Sequence, residues 1–495
     1  MKHPARPVPG PDAGSGPGLS RRGLLALGAA GLVLAGCDSG AADPGQDADP
    51  APPPLHTVDE MLASAPFLIA HRGSWDNWPE HTLKAYRESV KAGAAALEVS
   101  VSATSDGRLV CHHDLSTERT TGRKLVIKDS TYAQLSELRV DARAWLGPEA
   151  ALEEIPLLED VLDEFAATQV IFLEDKQGTN TRELLDLMDR YPDSKKHFIW
   201  KQAAGAGQIG AVSKRGYDSW GYFTADQLDL VPKLGGQFTY LGVHHSASDE
   251  EISAVVATGK PVICWEVHTR ELRDRLLGLG VSGLICANLP YLSGNEALET
   301  ADRFGDGIRA AGDLPWNVGQ GWDFQPRLQA PGKTLLMAAA ANSSYRMGSM
   351  SPVSREVYSI RFDMRWPGAL PEDTTLHAGM AFGQDDDRPY RVLIPSEVGG
   401  YHLVIRPTGE LTLLLRSPGE SGGLRLSSLK TQPATPGGWM SFKIDMAPDA
   451  VRYSRLDGRG WAGIAPDRRY RGGYFSLSRN YADDFPVEFR NVKVT

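Results

Sequence analysis

The chain is poor in cysteine, with four in 495 residues: Cys37, Cys111, Cys264 and Cys286. Four thiols cannot staple a chain of this length, and no two stand at zinc-site spacing. Cys111, Cys264 and Cys286 fall in apolar, strand-like runs (LVCHH, PVICWEV, GLICAN), which reads as buried core. Basic charge is also scarce. Lys and Arg number 52 against 62 Asp and Glu, a net charge of −10 with no long basic run. Nucleic acid is thereby excluded as a partner, because backbone binding needs clustered cations. A small phosphate pocket survives that argument, since one or two fixed cations suffice. A spanning helix of about 20 apolar residues is missing as well. The stretch LLALGAAGLVLAG near the start is too short and too rich in Gly and Ala. With 41% hydrophobic residues, the chain can still fill more than one core, and its length predicts two or three units.

Residues 1–37 read as an address. Ser20-Arg21-Arg22-Gly23-Leu24-Leu25 resembles a twin-arginine export signal, and Leu34-Ala35-Gly36-Cys37 matches a bacterial lipobox. That resemblance implies cleavage before Cys37, lipidation of its sulfur, and a protein anchored to the outer face of the cell membrane as a lipoprotein. Residues 38–60 are dominated by Pro, Ala, Gly and Asp, the composition of a disordered tether.

Residues 61–300 alternate between strand and helix patterns. The strand runs are FLIAHRG, ALEVSVS, VIFLEDK, HFIWKQ, DSWGYFTA, YLGVHHS, PVICWEVHT and SGLICANLP. Helical patterns such as TLKAYRESVKAG, IPLLEDVLDEF, TRELLDLMDRY, DEEISAVVATG and RELRDRLLGLG lie between them. Eight such repeats predict a TIM (β/α)8 barrel, whose chemistry collects at the C-terminal ends of the strands. Polar residues stand at those ends: His71, Glu98, Glu174, Lys176, Gln202, His244, His245, Trp265, Glu266 and Asn288. The one long connection, from TSDGRLVCHHD to about residue 152, is the kind of excursion that carries function. His112 and His113 are adjacent on an extended segment and face opposite ways, so His113 is the site candidate and His112 a structural one. The same reasoning separates His244 from His245.

From residue 315 to 495 helical periodicity fades. Short runs of period two separated by Gly, Pro and Asp turns predict an antiparallel β-sandwich. Its last portion, WMSFKID to RGGYFSLS and FRNVKV, resembles concanavalin-like jelly rolls with carbohydrate-binding relatives, which implies either a cell-wall glycan as partner or a purely structural domain packed on the barrel; a glycerol-phosphate wall polymer is a candidate partner of the barrel.

In the barrel, His71-Arg72-Gly73, Pro79-Glu80-His81-Thr82, Glu98, Thr104-Ser105-Asp106-Gly107, His113-Asp114, Glu174-Asp175-Lys176 and Trp265 follow one another in a pattern that resembles the glycerophosphodiester phosphodiesterase family. The resemblance implies metal-assisted hydrolysis of a glycerophosphodiester to an alcohol and a glycerol phosphate. His71 and His113 would serve as general base and general acid. Arg72, Lys176 and Trp265 would hold the phosphate and substrate, and Glu98 and Glu174 a divalent metal, Mg²⁺ or Ca²⁺. A phospholipase D-like lipid hydrolase and a non-catalytic polyol-phosphate or glycan-binding lipoprotein are the alternatives. Three positions depart from the pattern. Ser100 stands where a second metal carboxylate is expected, His81 replaces an amide, and Cys286-Ala287-Asn288 replaces a Thr-Asp pair. Asp114, Glu80 and Glu266 are the candidates to substitute for the missing carboxylate.

Overall fold

The computed structural model describes residues 57–295, 300–310, 327–329, 333–337, 356–388, 390, 395–480 and 485–495. The export signal, Cys37 and most of the tether lie outside the described residues, as do residues 391–394 of the region expected to form the sandwich. Among the described residues no helix is long and apolar enough to cross a membrane.

All eight strand runs form strands, and they close on one another. β1 (Phe67–Ala70), β2 (Ala96–Ala103), β4 (Val170–Asp175), β5 (Phe198–Ala203), β6 (Asp218–Phe223), β7 (Tyr240–His244), β8 (Val262–Val267) and β9 (Gly283–Cys286) pair in parallel. β1 pairs with both β9 and β2, which shuts the barrel. The additional strand β3 (Leu109–Cys111) folds back antiparallel on β2, as the hairpin pattern TSDGRLVC predicts. Gly107 supplies the left-handed residue of its turn (φ 78°). The expected helices form at Leu83–Lys91, Leu158–Phe165, Thr181–Met188, Asp249–Val256 and Arg270–Gly278.

Side-chain alternation sorts the barrel interior into two levels. Ile69, Ala96, Val170, Phe172, Ile199, Trp220, Ile263 and Ile285 fill the lower part with buried apolar side chains. Two residues further along the strands on the same face come His71, Glu98, Glu174, Lys201, Tyr222 and Trp265. The apolar layer thus forms the floor on which the polar layer stands. Cys111, Cys264 and Cys286 are buried and free, as their apolar context predicts.

Among the described residues the C-terminal part forms two antiparallel sheets, one of seven strands and one of five, whose facing side chains make a separate core around Ile360, Phe362, Met380, Leu403, Phe442 and Phe489. Strands at Leu424–Lys430 and Trp461–Ala465 join the expected ones. This sandwich grips the barrel through Asp387. Its carboxylate accepts the backbone N–H groups of Arg270 (2.6 Å) and Glu271 (2.9 Å) at the start of helix Arg270–Gly278, and the Tyr291 hydroxyl (2.7 Å). These helix-terminal donors otherwise lack intrahelical partners. Burial holds the Asp387 carboxyl above its usual range despite those bonds. Asp387→Ala is expected to cost about 1–2 kcal/mol, as loss of a helix cap does, read as a lower melting temperature.

Candidate active site

The strand ends surround a cavity of about 130 Å³ lined by His71, Arg72, His113, Lys176, Lys201, Tyr222, Trp265 and Glu266 among others. By the liquid share of a water, about 30 Å³, that is room for roughly four waters, the scale of a phosphate group. A larger apolar cavity, about 580 Å³ and bordered by Leu228, Val231, Leu241 and Val255, lies outside the barrel and carries no comparable chemistry.

Local backbone geometry aims the first strand's residues. After β1 the chain turns through His71–Gly73, with Arg72 in the left-handed region (φ 52°). The Arg72 N–H donates to Glu98 Oε2 (2.9 Å) and its carbonyl accepts from the His81 N–H (2.9 Å). Gly73 is required on two counts. Its φ is +78°, and a Cβ there would lie 2.7 Å from the Ala85 side chain. Ser74 and Asn77 tie this loop to Leu289 and Asn288 beyond β9, which gives Asn288 a structural role.

Each histidine stands against a carboxylate. His113 Nδ1 is 2.7 Å from Asp114 Oδ1. His71 Nδ1 is 3.1 Å from Glu266 Oε2, an ion-pair distance off the hydrogen-bond direction. Trp265 and Glu266 both reach the cavity because the register between β8 and β9 shifts between Cys264 and Val267. Burial draws the His113 pKa below its ordinary 6.5, and Asp114 offsets only part of that.

Behind these pairs stand His268, Asp76 and Arg119, which sequence reasoning did not single out. Glu266 Oε1 meets His268 Nε2 (2.5 Å), and His268 Nδ1 meets Asp76 Oδ2 (2.7 Å). Burial works against the His268 charge, but the two carboxylates push its pKa up to about 10, so it is an imidazolium at neutral pH. On the other side Arg119, from the long excursion, binds both oxygens of Glu80 (2.6 and 2.7 Å) and Asp114 Oδ2 (2.7 Å). Arg72 adds a longer contact to Glu80 (3.5 Å). Burial opposes ionisation of Glu80, yet these guanidiniums bring its pKa down to about 2. His112 is structural, as expected, bonded to Thr120 and the Asp114 carbonyl. His244 and His245 do not part as strand alternation predicts: at the end of β7 their rings lie 4.3 Å apart. The His244 imidazole packs edge-on to Trp265 and bonds Ser246.

The expected metal position differs from the sequence reading. Lys201 Nζ lies 2.6 Å from Glu98 Oε1 and 2.7 Å from Glu174 Oε2. Ser100 points its hydroxyl at Glu98 (3.3 Å), and Glu174 Oε1 accepts the Tyr222 hydroxyl (2.7 Å) and contacts Lys176 (3.3 Å). Glu98 and Glu174 are therefore brought together, but around an ammonium. Burial would raise both carboxyl pKa values, and Lys201 brings both below the usual range. The three candidate substitutes are committed elsewhere: Asp114 to His113 and Arg119, Glu80 to Arg119, Glu266 to His71 and His268. Among the described residues no group of three or more His, Cys, Asp and Glu is placed to hold a metal ion. The residues present do not fit a divalent metal site.

Comparison with known proteins places this geometry in context. Residues 71–214 match the model of the glycerophosphoryl diester phosphodiesterase family. A Mycobacterium tuberculosis protein named probable glycerophosphodiester phosphodiesterase 1 is 46% identical over 85 residues, 17% of this chain and 31% of the relative. A Bacillus subtilis glycerophosphodiester phosphodiesterase is 35% identical over 141 residues, 27% of this chain and 44% of that protein. The chain thus spans about a third of the length of the first curated relatives it matches. Among solved structures, an Oleispira antarctica phosphodiesterase in complex with sn-glycerol-3-phosphate aligns at 21% identity and TM-score 0.41, covering 47% of this chain and 97% of its own.

Proposed function

We propose that the chain, whose residues 71–214 match the model of the glycerophosphoryl diester phosphodiesterase family, hydrolyses a glycerophosphodiester to an alcohol and a glycerol phosphate. The observation that carries this reading is the pair of histidine–carboxylate couples facing one cationic cavity. Arg72 and Lys176 bind the phosphate oxygens, and their charges offset the negative charge that grows there during displacement. His113, kept neutral by burial, is the base that takes the proton from the substrate's neighbouring glycerol hydroxyl. That oxygen attacks phosphorus in line, and His71 gives a proton to the departing alcohol oxygen. Water then opens the cyclic phosphate with the two histidines in exchanged roles. Trp265 walls the cavity against the alcohol. Asp114 and Glu266 hold the imidazoles in orientation, and His268 positions Glu266. A divalent cation, expected from the sequence, would need a ligand set other than the one Glu98 and Glu174 form around Lys201.

The test is phosphorus NMR of the purified chain with sn-glycero-3-phosphocholine. Appearance of glycerol phosphate is expected; intact diester under a folded protein would sink the proposal. The acid limb of kcat/KM is a second check. A base with a lowered pKa stays neutral until the pH falls below it, so the limb should lie below pH 6.5. Asp114 raises that pKa, so Asp114→Asn should move the limb further toward acid.

We propose, on the resemblance of residues 1–37 to an export signal, that this chemistry takes place at the outer face of the cell membrane. Cys37→Ser is expected to abolish labelling by radioactive palmitate in a bacterial host and to release the protein from the membrane fraction.

A further inference from the structure

We propose that Lys201 is the resident cation of this active site, its ammonium standing between Glu98 and Glu174 where a divalent metal would otherwise bind, so that turnover needs no metal. The inference rests on the phosphodiesterase reading for its role in turnover, but its binding arm can be tested alone.

The ammonium is 2.6 and 2.7 Å from one oxygen of each glutamate. Mg²⁺ and Ca²⁺ bind carboxylate oxygens at about 2.0–2.6 Å and need about six or more oxygen ligands. An ion shared by these two oxygens would occupy the space that Nζ fills and would be repelled by its charge. The remaining ligands are also missing. Ser100 turns its hydroxyl toward Glu98, and Glu98 Oε2 already accepts the Arg72 N–H. Lys201 cannot readily leave, because its side chain is 9% exposed and its ammonium lies 5.6–5.9 Å from the Tyr222 and Trp220 ring centroids.

Charge arithmetic makes the replacement coherent. Two carboxylates and one ammonium sum to −1, the same as three carboxylates around a divalent ion. Serine in place of a carboxylate and lysine in place of the ion therefore leave the local charge unchanged. A lysine ammonium has three N–H donors. One donates to Glu98 Oε1, and Glu174 Oε2 sits at ion-pair distance off the hydrogen-bond direction, which leaves donors for the cavity that Lys201 lines. Phosphate would thus meet three side-chain cations: Lys201, Lys176 and Arg72.

The experiment uses the full chain dialysed against EDTA. Calorimetric titration with MnCl₂ and CaCl₂ is expected to show no stoichiometric binding up to about 1 mM, the weak end of biological calcium sites. Hydrolysis of sn-glycero-3-phosphocholine should continue in EDTA at the rate seen with added Mg²⁺. Lys201→Met should lower kcat by about 10²-fold or more, the scale of losing one preorganised donor, and added Mg²⁺ should not restore it. The paired change Ser100→Asp with Lys201→Ser should create a site binding one Mn²⁺. One equivalent of Mn²⁺ or Ca²⁺ bound by the unaltered chain would overturn the proposal, as would activity lost in EDTA and restored by metal. If no diester is cleaved under any condition, the phosphodiesterase reading fails, and the titration of the unaltered chain alone still decides whether Lys201 has displaced the metal.

Discussion

His113→Ala lowers kcat by about 10²–10⁴-fold, the range for removing a positioned proton-transfer group, with KM little changed. On the proposed reading Arg72 and Lys176 hold the phosphate, and the substitution leaves both in the cavity lining. Asp114 keeps its bonds to Arg119, so the excursion stays anchored and the loss reports chemistry, not unfolding. His71→Ala has the same expected magnitude. It leaves Glu266 paired with His268, so no buried carboxylate is stranded. The two losses do not add, because each interrupts the same proton traffic. Steady-state kinetics on both variants, with circular dichroism to confirm folding, makes the check. Turnover that survives both changes would remove the acid–base assignment.

Much of this site was legible in the sequence for one physical reason. Strand residues two apart share a face, so an apolar residue two before a polar one marks the passage from barrel floor to barrel mouth. That rule finds His71 after Ile69, Glu98 after Ala96, Glu174 after Phe172 and Trp265 after Ile263. It also finds Lys201 after Ile199, in HFIWKQ, although attention to the strand's last polar residue selects Gln202 instead. Gln202 in fact bonds the Trp200 ring nitrogen and the Ala206 carbonyl, away from the cavity. The gap at Ser100 was visible, but what answers it was not, because Lys201 lies 101 positions away on another strand. Asp76 and His268 meet across 192 positions, and Asp387 caps a helix 117 positions earlier. Such partners leave no local pattern. In the sandwich, Leu424–Lys430 escaped notice because it lacks a buried apolar face, its residues being exposed or half-buried throughout.

Glu98→Ala destabilises the barrel by about 3–5 kcal/mol, the cost of breaking a buried ion pair from one side. For a domain of this size that lowers the melting temperature by about 10 °C. The carboxylate is fully buried, holds the Lys201 ammonium at 2.6 Å and accepts the Arg72 N–H that shapes the His71–Gly73 turn. Glu98→Gln retains an acceptor for Arg72 and should cost less. The sign of the effect discriminates between two kinds of site. In a metal centre stripped of its ion, adjacent carboxylates repel, and removing one stabilises the protein. Around a lysine, each carboxylate is attractive, and removing one destabilises it. Because Lys201 holds the Glu98 pKa well below 4.5, the stabilisation is present above the unfolded carboxyl pKa and lost only as the pH falls through the folded one. The difference between the original chain and Glu98→Gln, followed by thermal melts in EDTA, should therefore stay constant from pH 5 upward and close only in strong acid. A Glu98→Gln variant more stable than the original chain would show that the two glutamates repel, and that Lys201 does not hold them together.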